Sequence, residues 1–263
     1  MMHRDQLGRQ LQLQTTPRRI VSLVPSQTEL LVDLGLRSEI VGVTKFCVHP
    51  NYLKKEKNVV GGTKTINFDK VKALTPDIIL CNKEENTAEM ISVLEQIAPI
   101  HISDIYNLED AIELIKFYGA LFSVEKKASQ IIETIESEAF HFSEFILKQP
   151  KRKVAYFIWK NPWMVAASQT FINAMLHLNN FDNVFADLNR YPEIKIADIG
   201  TDCDIILLST EPYPFKEEDM ALLQGKFPSA SIILADGEYF SWYGSRLTKA
   251  FQYFKTLHQD SVH

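Results

Sequence analysis

The residues of this chain that could do chemistry are few and mostly dispersed. The sequence has no GxGxxG or GxxxxGK[ST] phosphate loop, no GxSxG nucleophile motif and no HExxH zinc motif. Cys47 and His49 could share a metal ion, but two candidate ligands in one loop do not complete a coordination sphere. Acid–base chemistry would have to rely on Glu84, Glu85 or Glu238, and no nucleophile is spaced to work with them. These residue types favour ligand binding over catalysis.

Aromatic residues are concentrated in three loops of the second half, each of which follows an apolar stretch. The loops are WKNPWM (159–164), EPYPF (211–215) and GEYFSWYGSR (237–246), and they contain every tryptophan of the chain. Ligands of open α/β sheets bind outside the carboxyl ends of the strands, so these loops predict an apolar wall with a few polar groups. Arg246 could bind a carboxylate or phosphate of the ligand. The alternative is packing, with Arg246 paired to Glu238.

The corresponding loops of the first half are polar. They are PSQ (25–27), KFC (45–47), GTK (62–64) and NKEEN (82–86). One polar wall and one aromatic wall suit a large ligand that has a flat conjugated body and hydrogen-bonding edges.

The elements that must position these loops occur twice along the chain. LTPDIILCN (74–82) and GTDCDIILLS (200–209) share an Asp-Ile-Ile-Leu strand, and Ser-Gln-Thr precedes a helical pattern at 26–28 and again at 168–170. Short, continuous apolar strands that alternate with helical stripes are typical of parallel sheets covered on both faces. The repeat therefore predicts two α/β lobes with a cleft between them.

Two helices are predicted in more detail. Ser26 is the expected N-cap of the first, with Glu29 as its capping-box partner and Gly35 as its end. Glu125 to Lys148 has apolar residues at three- and four-residue steps without a Gly or Pro, which predicts one long helix. The predicted organisation is an N-terminal lobe over 1–122, a connecting helix over 123–150 and a C-terminal lobe over 151–263.

Composition narrows the function further. The formal net charge of −5 and the scattered basic residues give no reason to expect nucleic-acid binding. Three cysteines are too few for a disulfide framework, and no apolar run reaches the length of a membrane span. The first residues lack the apolar core of an export signal. We therefore expect a cytoplasmic protein on the chain as given, or a periplasmic or membrane-associated one if an export signal was removed.

Several segments resemble one family. RIVSLVPSQTELLVDLGL, VGVTKFCVHP, VGGTKTINFDKVKALTPDIIL and the long central helix resemble the helical-backbone (class III) substrate-binding proteins of ABC importers. That family includes the vitamin B12-binding protein and receptors for ferric siderophores and haem. The resemblance runs from about Thr16 to Phe254 and is strongest for the cobalamin-binding branch. It implies an α/β fold of two Rossmann-like lobes with parallel sheets, joined by one long α-helix, with the ligand held between the lobes.

The resemblance also implies a function and a set of contacts. The ligand would be a cobalamin-like corrinoid or another metal chelate, bound by a monomeric, non-enzymatic protein with no covalent cofactor. An ABC permease would be the partner of an exported protein, docked through Asp69 and through Glu217 or Glu218, which would pair with permease arginines. The alternative is an intracellular carrier or enzyme that uses the same cleft. The implied ligand contacts are Ser26, Gln27, Phe46, Thr63, Lys64, Trp163, Tyr239, Phe240 and Arg246, and Trp242 joins them as a further stacking ring.

Overall fold

The computed structural model describes residues 2–260 and contains two compact α/β units. The first unit comprises the described residues up to Ile105 together with Glu109–Thr134 and Tyr243–Arg246. The second unit comprises Tyr106–Leu108, Ile135–Trp242 and the described residues from Leu247 onward. Four residues from the late part of the chain thus pack with the first unit, and the lobe limits at 122 and 150 stay a prediction.

The first unit is built on a five-stranded sheet in which all neighbouring strands are parallel. A two-stranded antiparallel hairpin precedes this sheet along the chain. The order of strands in the sheet is β5-β4-β3-β6-β7. The strands are β1 (Met2–Arg4), β2 (Gln10–Gln12), β3 (Ile20–Ser22), β4 (Ile40–Thr44), β5 (Asn58–Gly61), β6 (Ile78–Asn82) and β7 (Ile100–Ser103). The helices are α1 (Pro25–Asp33), α2 (Leu53–Glu56), α3 (Phe68–Ala73), α4 (Ala88–Leu94) and α5 (Leu108–Leu121).

Helix α1 begins differently from the prediction. Its N-cap is Val24, whose side chain makes no capping bond, and Pro25 occupies the first helical turn. Proline suits that position because its fixed φ is helical and it has no amide hydrogen to leave unpaired. Ser26 is therefore not the N-cap, and the capping box with Glu29 is wrong. The predicted end is confirmed, because the helix stops just before Gly35, which has a φ of +86°.

The hairpin of β1 and β2 was not predicted. Its turn is organised by the buried side chain of Asp5, whose Oδ1 accepts hydrogen bonds from the amides of Leu7 and Arg9 at 3.1 and 2.8 Å. The other carboxylate oxygen accepts a hydrogen bond from the amide of Ile102 in β7 at 3.3 Å. Since β7 is an edge strand, Asp5 satisfies a backbone group that the sheet leaves unpaired.

The second unit repeats the parallel arrangement. Strands β10, β8, β11 and β12 lie side by side and pair in parallel, and β9 pairs antiparallel with β8. The repeated strand is confirmed in both units, as β6 and as β11, and every residue in either strand is buried. The strands are β8 (Arg152–Trp159), β9 (Met164–Val165), β10 (Phe181–Asn183), β11 (Ile205–Ser209) and β12 (Ser231–Ala235). The helices are α7 (Phe171–Leu178), α8 (Glu217–Gln224), α9 (Gly237–Ser241) and α10 (Leu247–Asp260), with a 3₁₀ turn at Ile196–Asp198.

The predicted long helix is present as α6 (Glu125–Ile146). Its 22 residues correspond to a length of about 33 Å. The division between the two units falls inside this helix, after Thr134. Within residues 2–260, no helix is both long and apolar enough to cross a membrane.

Candidate functional site

Gln27 is the centre of a buried polar network in the first unit. Its Nε2 donates to Ser103 Oγ at 2.6 Å and to Tyr243 OH at 3.2 Å. Its Oε1 accepts a hydrogen bond from Tyr118 OH at 2.6 Å. Gln27 is 0% exposed, and Ser26 beside it is also buried. Gln27, predicted as a ligand contact, therefore uses both ends of its amide for hydrogen bonds within the protein. These bonds join residues from β7, α5 and the 243–246 segment.

Two asparagines organise the loop after β6. Asn82 Oδ1 accepts hydrogen bonds from the amides of Glu84 and Glu85 at 2.8 and 3.2 Å. Asn86 accepts from the amide of Asn82 and donates its Nδ2 to the carbonyl of Thr63, both at 2.9 Å. Because both side chains are buried and bonded, they join the loops that follow β5 and β6. The predicted site residue Thr63 is thus held in place by Asn86.

Lys64 and Glu85 lie at the same edge of the sheet. The ammonium group of Lys64 donates to the backbone carbonyl of Glu84. Burial raises the pKa of the Glu85 carboxyl, while the positive charge of Lys64 and a hydrogen bond with Thr63 act in the opposite direction. A raised carboxyl pKa beside a lysine is a perturbed environment of the kind found at functional sites.

Phe46 is an exposed aromatic residue in the loop that follows β4, with 49% of its surface accessible. The ammonium of Lys45 lies 4.9 Å from the centre of its ring. The ring also covers Gly62, since a Cβ added to that glycine would come within 3.2 Å of Phe46 Cε2. Phe46 therefore presents an aromatic surface where a ligand can reach it.

Arg246 forms a two-pronged ion pair with Glu29 inside the first unit. Its Nε lies 2.9 Å from Glu29 Oε2 and its Nη2 lies 2.8 Å from Oε1. The side chains of Arg246 and Glu29 are 10% and 16% exposed. Burial raises the pKa of Glu29, and the charge of Arg246 opposes that rise. Arg246 has the structural pairing that the sequence left open, although with Glu29 instead of Glu238.

The second unit holds an aromatic cluster, which we define as Trp159, Trp163, Tyr213 and Phe215. Trp163 stacks on Phe215 at 6.0 Å between ring centres, and Tyr213 meets both Phe215 at 4.7 Å and Trp159 at 5.5 Å. Trp159 is 39% exposed, whereas Trp163 is only partly exposed and packs against the core. The cluster joins two of the three predicted aromatic loops at the carboxyl ends of β8 and β11.

The third aromatic loop has other partners. Tyr239 stacks on Tyr253 of α10 with ring centres 4.6 Å apart, and Phe240 is 0% exposed and packs against α10 as well. Trp242 is buried and donates its Nε1 to Glu211 Oε1 at 2.8 Å. Phe240 and Trp242 are thus packed and hydrogen-bonded within the second unit, as in the alternative that the sequence left open. Tyr239 is half-buried, and its contact with a ligand stays a prediction.

The predicted docking acids are on the surface. Asp69 is exposed in the first turn of α3, and Glu217 and Glu218 are exposed in the first turn of α8. Asp219, the next residue, pairs instead with Lys160 at 2.6 Å. Both helices follow parallel strands, so their first turns lie near the carboxyl edges of the sheets.

Metal ligands do not assemble from the acidic, cysteine and histidine side chains. Among residues 2–260, no group of three or more of these side chains could hold an ion. Cys47 is buried with Thr28 Oγ1 at 3.1 Å and Thr44 Oγ1 at 3.3 Å from its sulfur. Its thiol therefore has hydroxyl partners within the protein.

The network around Gln27 was not predictable from the sequence. Gln27 and Tyr243 are 216 positions apart, and Gln27 and Tyr118 are 91 apart. A buried glutamine requires hydrogen-bond partners, but nothing local in the sequence says which residues supply them. The sequence marks Gln27 through the Ser-Gln-Thr repeat and the family resemblance, and neither indicates its internal partners.

Comparisons with known proteins agree with this architecture. The family described as periplasmic binding protein matches residues 20–210. An uncharacterised ABC transporter substrate-binding lipoprotein of Bacillus subtilis, YvrC, is 28% identical over 191 residues, which cover 70% of this chain and 60% of that protein. The vitamin B12-binding protein of Yersinia pestis is 26% identical over 181 residues, covering 68% of this chain and 64% of that protein. The match therefore spans less than two thirds of the length of these relatives.

A solved structure extends the likeness of fold to nearly the whole chain. The periplasmic haem-binding protein RhuT from Roseiflexus sp. RS-1, in its apo form, superposes with a TM-score of 0.80 over 94% of this chain and 99% of that one, at 18% identity. Open parallel α/β sheets bind their ligands outside the carboxyl ends of the strands, where both units of this chain have polar or aromatic loops. The family match then makes the assignment specific: this chain belongs to the periplasmic binding protein family.

Proposed function

We propose that this protein is the substrate-binding component of an ABC-type importer and that its ligand is a metal chelate. The observation that carries the proposal is the family match over residues 20–210, which includes the polar loops of the first unit and, of the aromatic cluster, Trp159 and Trp163. The vitamin B12-binding relative supports a corrinoid as the ligand, and the haem-binding protein of similar fold supports haem. A ferric siderophore is the third candidate, which the family resemblance implies.

The remaining expectations become parts of this proposal. The protein binds its ligand as a monomer without turning it over. It works outside the cytoplasmic membrane, a location that fits a relative named as a substrate-binding lipoprotein. Trp163 and Phe46 contribute aromatic contacts to the ligand, and Lys64 contributes a positive charge. Gln27 and Arg246, which are bonded to partners inside the first unit, stabilise the framework of that unit.

The test is a titration with cyanocobalamin, haemin and several ferric siderophores, followed by tryptophan fluorescence. Saturable quenching at micromolar concentration or below by one of them supports the proposal. Trp163→Ala should weaken that binding, whereas Trp163→Phe should keep it because a ring still packs on Phe215. Failure of every probe to bind would overturn the chelate proposal, and chemical turnover of a bound probe would replace it with an enzyme.

Docking on a permease needs a separate test. Asp69→Lys and Glu217→Lys should abolish ligand uptake while leaving ligand affinity unchanged, because each places a positive charge where an arginine of the permease would pair. Glu136→Lys on the exposed face of α6 is the matched control. Normal uptake by both docking variants would refute the role of these acids.

A further inference from the structure

Lys45 and Phe46 are in contact with each other at the carboxyl end of β4. The family resemblance implies Phe46 as a ligand contact but does not include Lys45. The Lys45 ammonium lies 4.9 Å from the centre of the Phe46 ring. A Cβ added to Gly62 would lie 3.2 Å from Phe46 Cε2 and 3.5 Å from Lys45 Cε. Both side chains therefore rest on the same glycine, and a larger residue there would push them away.

The backbone beneath this pair is fixed. The amide of Lys45 donates to the carbonyl of Gly61 at 2.7 Å, and Gly61 itself has a φ of +143° that favours glycine. The carbonyl of Lys45 accepts a hydrogen bond from Lys54 Nζ at 3.1 Å, which brings a second ammonium group to the loop. The loop is thus pre-organised, with two positive charges beside an exposed ring.

The charge of Lys45 lies beside an aromatic ring and not beside a carboxylate of the described residues. Among the described residues, Lys45 has no carboxylate partner. The second unit provides an internal comparison, because Lys160 lies 5.6 Å from the ring of Trp163 but is paired with Asp219 at 2.6 Å. Both units carry a lysine over an aromatic ring, and the lysine of the first unit keeps its charge available to a ligand.

We infer that Lys45 and Phe46 select a ligand that has an aromatic face with an anionic group at its edge. This inference rests on the proposed function and narrows its ligand class. The ring stacks on the conjugated face, and the ammonium pairs with the carboxylate or catecholate oxygen beside it. Two ligand types share this chemistry, a tetrapyrrole with ionised propionates and a ferric catecholate. Cyanocobalamin, whose rim carries neutral amides, offers no carboxylate to the lysine.

The experiment compares four probes on the full chain: haemin, haemin dimethyl ester, the ferric tris(catecholate) complex and cyanocobalamin. Haemin and its ester share the ring and the iron and differ only in the ionised carboxylates. We expect the wild-type protein to bind haemin or the catecholate more tightly than cyanocobalamin. Tighter binding of haemin than of its ester would identify the ligand as a tetrapyrrole with ionised propionates. Tighter binding of the catecholate complex than of haemin would identify it as a ferric catecholate.

Variants then assign the effect to the pair. Lys45→Met keeps an apolar side chain over Phe46 and removes the charge. It should therefore lower the affinity for the preferred anionic probe about fivefold to tenfold. It should also reduce the dependence of that affinity on salt, because one screened charge pair is lost. Lys45→Arg should retain affinity, and Lys72→Met, which makes the same change in net charge on α3, should have no effect.

The outcomes separate this inference from the proposed function. Unchanged affinity for both anionic probes in Lys45→Met, or preference of the wild-type protein for cyanocobalamin, would overturn the inference and leave a chelate-binding protein. If the wild-type protein binds none of the four probes or the ferric siderophores, the proposed function fails and the inference fails with it.

Discussion

Replacing Arg246 by alanine tests whether this residue is structural, as its pairing with Glu29 indicates. The substitution removes two charge-assisted hydrogen bonds, of 2.9 and 2.8 Å, and leaves the Glu29 carboxylate 16% exposed without its counter-charge. Removing one partner of a buried ion pair costs about 3–5 kcal/mol, because the other charge is left desolvated. We therefore expect Arg246→Ala to lower the free energy of unfolding of the first unit by about that amount.

The assay has to report on the correct unit. All three tryptophans lie in the second unit, so their fluorescence follows that unit, while Glu29 and Arg246 belong to the first. Urea unfolding should be followed by far-UV circular dichroism together with tryptophan fluorescence, since two units need not unfold in a single transition. Arg37→Ala is the matched control. Arg37 also binds a glutamate through two nitrogens, but this pair is exposed, so we expect little change.

The stability lost in Arg246→Ala should also depend on pH, which gives a second test of the structural role of this residue. Burial already raises the pKa of Glu29, and removal of Arg246 raises it further. A carboxyl with a raised pKa in the folded state costs stability as the pH rises through that pKa, so the deficit of Arg246→Ala should be largest near neutrality and shrink in acid. Glu29→Gln in the Arg246→Ala background should recover part of the loss. A deficit below about 1 kcal/mol, combined with a large loss of ligand affinity, would refute the structural role.

Two further predictions follow from buried titratable groups. Burial raises the pKa of Cys81 to about 12 and that of Cys203 to about 11, and it also raises the pKa of Cys47. None of these thiols should therefore react with Ellman's reagent until the protein is unfolded. Rapid reaction of the native protein would contradict this prediction. Burial lowers the pKa of His101 to about 3 and of His258 to about 4. Their contribution to stability should be present above pH 6.5 and be lost as the pH falls toward 4 for His258 and toward 3 for His101. NMR titration and unfolding at a series of pH values test this.

Much of the fold could be predicted because local patterns encode it. The apolar run Ile78–Cys81 predicts a buried strand from its residue types alone, and the end of α1 before Gly35 follows from the conformational freedom of glycine. The long helix follows from its three- and four-residue spacing and differs from the prediction only at its carboxyl end, which lies at Ile146 instead of Lys148. Each of these features depends on residues that are close in sequence.

The errors and omissions concern contacts between distant residues. Glu29 has the spacing of a capping-box residue, but its carboxylate binds an arginine 217 positions away. The hairpin of β1 and β2 escaped prediction because Asp5 stabilises it by binding an amide of β7, 97 positions further along. Phe240 was expected to face a ligand, but it is 0% exposed and its ring packs against Tyr156, 84 positions earlier in the chain.

Periodicity and residue type act within a few residues, so they are enough to predict two α/β units, the long helix, and the polar and aromatic loops. Which of these side chains remain exposed depends on packing between segments that are far apart along the chain. The side chains of Gln27 and Arg246 are bonded to other residues of the protein, whereas Phe46 and Trp159 are exposed. The physical reason is that a buried polar group must find a partner within hydrogen-bonding distance, and packing alone determines which residues come that close.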